Sequence, residues 1–135
     1  MALTIDAAFA ARNFEELYGY SPVGVWSAPG RANLIGEHTD YNDGFVLPAA
    51  INFHTVIAVK RRDDTKFRAV ADAFPGQIKE WVFGQENDMD PQDGWVNYLK
   101  GFTAAMAQTG LLAKGLDLAI VGDVPLAAGL SSSGA

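Results

Sequence analysis

The chain has 135 residues, one domain or a large part of one on the usual scale of roughly 100 to 200 residues per domain. Hydrophobic residues make up 49% and charged residues 19%, enough apolar surface to offset chain entropy, which excludes long disorder. Sixteen acidic against ten basic residues give a formal net charge of -6, which argues against nucleic acid and anionic lipid as partners because both are held by a basic footprint. The absence of cysteine excludes disulfide scaffolds and thiolate metal sites and favours a cytosolic address. Residues 1–20 carry acidic and polar groups within every apolar window, so neither a signal peptide nor a membrane span is expected there.

Leu3, Ala7, Phe9, Ala10, Phe14 and Leu17 recur at helical spacing, with Thr4 or Asp6 able to cap the start and Gly19 able to end it, which predicts a first amphipathic helix. In residues 22–30, Val23, Val25 and Ser27 share one parity and predict a short strand leading into a turn at Ala28-Pro29-Gly30. Residues 49–59 are rich in β-branched and aromatic side chains and stop at the charged run 60–64, a strand and a hairpin-like turn. Residues 66–73 and 77–83 alternate in polarity, so three adjacent antiparallel strands are expected. Residues 85–94 are acidic and polar, a loop; Trp95, Tyr98, Leu99, Phe102, Ala105 and Met106 then predict the apolar face of a helix ending near Gly110. Residues 116–121 are a further apolar strand leading to Gly122-Asp123-Val124-Pro125 and a small-residue run. Internal repeats, low-complexity tracts and interdomain linkers are absent from the pattern.

Two segments carry chemistry. Residues 30–44 place Arg31, Asn33, Glu37, His38 and Asp40 within a few positions of one another, separated by glycines that permit close approach of backbone to a ligand. Glu37 and Asp40 accept hydrogen bonds, and His38 and Thr39 donate or accept, which is the inventory for a polyhydroxylated molecule such as a sugar. Arg31, planar and permanently charged, suits a phosphoryl oxygen or a developing alkoxide. The competing reading is structural: Arg31 paired with Glu37 or Asp40, and Asn33 and Asn42 capping turns. A metal held by Glu37, His38 and Asp40 is a weaker reading, because a second His is missing.

The second segment is residues 125–135. Small residues and glycine after a strand, followed by Ser131, Ser132 and Ser133, would gather free backbone N–H groups at the start of a helix, an arrangement suited to phosphate. A Walker loop and a dinucleotide fingerprint are both lacking. The rival reading of this Gly/Ser tract is a flexible tail.

Residues 28–48, APGRANLIGEHTDYNDGFVLP, resemble the galactokinase signature, and residues 124–133, VPLAAGLSSS, resemble the ATP loop of the wider sugar, homoserine, mevalonate and phosphomevalonate kinase superfamily. Residues 95–101, WVNYLKG, are similar to a segment that galactokinases carry between the two. The resemblance implies an α+β fold with a mixed, mainly antiparallel sheet backed by helices: an N-terminal sugar- and ATP-binding domain over residues 1–135, truncated, with the C-terminal domain absent. It implies transfer of the ATP γ-phosphoryl group to the C1 hydroxyl of α-D-galactose, with ATP and Mg2+ as cofactors, in a monomeric, cytoplasmic parent. By position, Arg31 would assist transfer, and Glu37, His38, Thr39 and Asp40 would hold the sugar. Ala127, Ala128, Gly129, Leu130, Ser131, Ser132 and Ser133 would wrap the ATP phosphates, with the Ser133 hydroxyl associated with magnesium. Ala127 stands where the family carries glycine and Gly134 where it carries alanine. The family's catalytic aspartate, its magnesium-binding glutamate and its third glycine-rich motif are expected later in the chain than Ala135, so the 135 residues alone are expected to turn over poorly. The alternatives are a kinase for a related sugar such as N-acetylgalactosamine and a galactose-binding or sensory remnant.

Overall fold

The computed structural model describes residues 5–84, 90–111 and 114–125. Helix α1 spans Ala7–Tyr18. Asp6 is its cap: the carboxylate accepts from the Phe9 N–H at 2.8 Å, satisfying a donor that has no partner within the helix. Gly19 closes it in the left-handed conformation, φ 78°, and its N–H donates to the Glu15 carbonyl, so the expected helix and both of its ends are present.

Strands β1 (Gly24–Ile35), β2 (Leu47–Arg61), β3 (Lys66–Ala71), β4 (Lys79–Val82) and β5 (Leu116–Gly122), helix α2 (Val96–Gln108) before β5, and two 3-10 turns, Asp40–Asn42 and Pro91–Asp93, complete the described elements. They form a sheet of order β1-β2-β5-β3-β4, antiparallel except where β3 runs parallel to β5. The α+β class and the mainly antiparallel sheet are as the resemblance implies.

Three local expectations are corrected. The strands of residues 49–59 and 66–73 are not neighbours, because β5 lies between β2 and β3. A strand covered on both sides needs apolar groups on both faces, and β5 supplies them: Leu118 joins one core cluster, Ala119 and Val121 the other. The turn expected at Ala28-Pro29-Gly30 is absent, since β1 runs through it with a register shift between Pro29 and Arg31. An edge strand tolerates a proline that donates no ladder bond. On α2 the buried stripe is Val96, Lys100 and Thr103, while Tyr98 and Phe102 are 65% and 63% exposed. Polar groups take the inner face because each has a partner: Trp81 Nε1 donates to Thr103 Oγ1 at 3.3 Å and Lys100 Nζ to Asp93 Oδ2 at 2.6 Å.

The core is divided by the sheet. Ala10 and Phe14 of α1 pack with Val56, Ala58, Val70, Ala119 and Val121 on one face. On the other, Val96 of α2 packs with Phe67, Ala69, Trp81 and Leu118, and Phe67 stacks on Trp81 at 5.1 Å between ring centroids.

The buried carboxylate of Asp117, 1% exposed, fastens α1's exit to the sheet centre. It accepts from Arg68 Nε at 2.6 Å and Nη2 at 2.9 Å, from Arg62 Nη1 at 3.0 Å, and from the Tyr20 hydroxyl. Arg68 also lies over the Tyr18 ring, and the Tyr18 hydroxyl donates to the Leu118 carbonyl at 3.0 Å. Burial opposes the charge on Asp117, but the hydrogen bonds from Arg68, Tyr20 and Arg62 outweigh it and hold the carboxyl below its ordinary range. A depressed folded value means the stabilisation is full above the ordinary carboxylate range and fades as pH falls through the folded one. Urea unfolding at neutral pH should therefore show Asp117→Ala losing about 3 kcal/mol, because the Arg68 guanidinium is left without its carboxylate, while Arg62 keeps Asp64. The variant's stability should also change less than wild type's below about pH 4.

Candidate functional site

Strand β1 presents Arg31 and Asn33, two residues apart and so on one face. Opposite them β2 offers Ala50 and Pro48. Pro48 has no N–H to give the ladder, and the register shifts between Asn33 and Ile35. The chain leaves the strand at Gly36 with φ 96°, and a Cβ there would collide with the Phe45 carbonyl, so only glycine fits both the dihedral and the space.

Residues 36–45 form a loop closed from within. The Thr39 hydroxyl lies 3.0 Å from both the Gly36 and Phe45 carbonyls. The Thr39 and Asp40 N–H groups donate to Gly36 O at 3.1 and 2.9 Å, and Gly44 N donates to Thr39 O at 2.8 Å. Asn42 Nδ2 donates to the His38 carbonyl at 2.8 Å. One 3-10 turn, Asp40–Asn42, then brings Asp40 back over β1. Its Oδ2 accepts from Asn33 Nδ2 at 3.0 Å and lies 3.6 Å from Arg31 Nη2. His38 Nδ1 is 2.9 Å from the Tyr41 hydroxyl, with the two rings edge to face. Glu37 is exposed in the same loop.

The structure brings Arg31 and Asp40 together, so the ion pair weighed from sequence exists, although both side chains stay open, 52% and 38% exposed. Exposed pairs of this kind contribute little to stability, and both groups keep hydrogen-bonding capacity for a ligand. Thr39 spends its hydroxyl on the loop's own backbone. Asn42 braces a turn as the structural reading has it; Asn33 does not, since it sits in a strand and donates to Asp40. Ala127, Ala128, Gly129, Leu130, Ser131, Ser132 and Ser133 lie outside the described residues.

Asp123 is a residue that the sequence reading passed over. Its Oδ1 accepts from the His54 N–H at 2.6 Å and its N–H donates to the His54 carbonyl at 3.1 Å. A side-chain oxygen thus takes the place of the next ladder carbonyl, ending β5 after the Thr55–Gly122 pair and directing the chain to the buried Val124. The signal was an acid set directly after an apolar strand and before Val124-Pro125. Among the described residues no helix is long and apolar enough to cross a membrane, and no group of three or more His, Asp or Glu side chains is placed to hold a metal ion.

This architecture is that of the N-terminal domain of the galactokinase-type small-molecule kinases. The mevalonate kinase of Methanococcus jannaschii shares it with a TM-score of 0.64 at 17% identity, over 82% of this chain and 35% of that one. Within the class, residues 12–61 match the galactokinase galactose-binding signature. The galactokinase of Lactococcus lactis, solved in complex with galactose, matches at a TM-score of 0.80 and 36% identity over 93% of this chain. The chain spans about a third, 33%, of the length of that solved relative.

The loop's internal closure is testable without ligand. Thr39→Val should cost the loop about 1 kcal/mol of local stability, read as roughly fivefold faster amide exchange at Gly44 and Asp40. Thr39→Ser should stay near wild type.

Proposed function

We propose that the loop of residues 36–45 and the adjoining part of β1 bind α-D-galactose. The chain then forms the sugar- and ATP-binding part of a monomeric, cytoplasmic galactokinase. The observation that carries this reading is the meeting of Arg31, Asn33 and Asp40 inside the galactokinase signature match over residues 12–61. Galactose complexed with the Lactococcus lactis relative supports the choice of sugar.

In this reading Glu37 and Asp40 accept from ring hydroxyls, because ionised carboxylates accept at both oxygens. His38, oriented by Tyr41, adds a further polar contact, and Thr39 serves the site by keeping the loop closed. Arg31 offers N–H donors and a fixed positive charge beside the C1 hydroxyl. There it stabilises charge developing as that oxygen bonds to the γ-phosphorus of ATP and the bond to the leaving diphosphate breaks. Ala127–Ser133 would hold the ATP phosphates. Magnesium, with Ser133 as one of its contacts, supplies charge neutralisation on the triphosphate when bound. Catalysis in such a site rests on alignment and electrostatics.

Calorimetric titration with galactose tests the sugar site. Asp40→Ala should weaken binding roughly 10- to 100-fold, the loss of a hydrogen bond to a charged acceptor, and glucose, the C4 epimer, should bind more weakly than galactose to wild type. Unchanged galactose affinity in Asp40→Ala would refute the assignment.

A further inference from the structure

The nearer partner of Asp40 is the neutral amide of Asn33 at 3.0 Å, not the guanidinium of Arg31 at 3.6 Å. The orientation of that amide is forced. Its Oδ1 is buried with no hydrogen-bond partner among the described residues, yet turning the group over would press a carbonyl oxygen against the Asp40 carboxylate, acceptor against acceptor. Asn33 thus leaves one buried acceptor unsatisfied, an unfavourable arrangement, and gains only the bond to Asp40.

From this geometry we infer that Asn33 is a positioning residue for the sugar. It holds Asp40 by Oδ2, so that Oδ1, on a side chain still 38% exposed, is presented to a ring hydroxyl. Because the amide occupies the nearer position, Arg31 is left 52% exposed instead of collapsing into a bidentate pair with Asp40, the geometry that guanidinium and carboxylate otherwise favour. One amide thereby separates the group that holds the sugar from the group that serves the reacting oxygen. The inference rests on the sugar-site reading above.

The test is a double-mutant cycle on galactose affinity, run by calorimetry on the full chain with folding checked by circular dichroism. Asn33→Ala should lower affinity about tenfold in the wild-type background and less than twofold in the Asp40→Ala background. Asn33→Asp, which keeps the shape but removes the donor, should lose at least as much as Asn33→Ala. Equal losses in both backgrounds, or a near-normal Asn33→Asp, would mean that Asn33 merely fills space and would overturn the inference. A second readout needs no sugar: exchange protection of the Asn33 side-chain NH2 by NMR, present in wild type and lost in Asp40→Ala. If that protection behaves as expected while wild type fails to bind galactose, the sugar reading falls and the Asn33–Asp40 coupling stands. If protection ignores Asp40, the positioning role is wrong whatever the binding.

Discussion

The carboxylate of Asp40 ties the loop of residues 36–45 to strand β1, and the candidate site exists only because of that tie. Without a partner at Asn33 and Arg31, a loop whose residues 37–45 are all exposed has, among the described residues, no side-chain bond holding it over the strand. Its internal bonds through Thr39 and Asn42 give it a shape; Asp40 gives it a place. Polar groups that converge on one point, each already oriented by a neighbour, are what a ligand with several hydroxyls requires, because less ordering is left to be done on binding.

The sheet supplies the rigid base for this arrangement. β1 is an edge strand, where the ladder tolerates Pro29 and a register shift on either side of the Arg31–Asn33 segment, and these irregularities turn polar side chains toward the loop. β2 connects that edge to β5, and at the end of β5 Asp123 is locked to His54. His54 pairs with Pro29, two residues from Arg31, so the strand that leads into the loop of residues 36–45 and the chain that follows β5 share one short stretch of β2. At the opposite end of β5, Asp117 gathers Arg62, Arg68 and Tyr20, fixing β5 within the sheet so that both ends are held.

What was legible in the sequence follows from how far each interaction reaches. Helix α1 was readable because its cap at Asp6, its stop at Gly19 and its apolar stripe are all local. The polar loop was readable because its residues are contiguous, and the pairing of Arg31 with Asp40 was one of two stated options. Strand order was not readable: alternation tells which side chains share a face, not which strand lies alongside, and β5 enters the sheet from about fifty residues away in sequence. Arg62 looked like part of a charged turn because one of its partners, Asp64, lies within that turn, while the other, Asp117, is 55 positions distant. On α2, an apolar stripe through Tyr98 and Phe102 was the natural choice, but Lys100 and Thr103 go inward because Asp93 and Trp81 satisfy them there. Asn33 looked like a turn residue by composition, and only the fold shows that it lies in a strand beneath a carboxylate.

The most direct test of the central claim is a crystal structure of this chain grown with galactose. The account predicts the hexose in the loop of residues 36–45, with a ring hydroxyl about 3 Å from an Asp40 carboxylate oxygen and the C1 hydroxyl turned toward Arg31. A hexose bound elsewhere, with Asp40 still engaged only by Asn33 and Arg31, would contradict it.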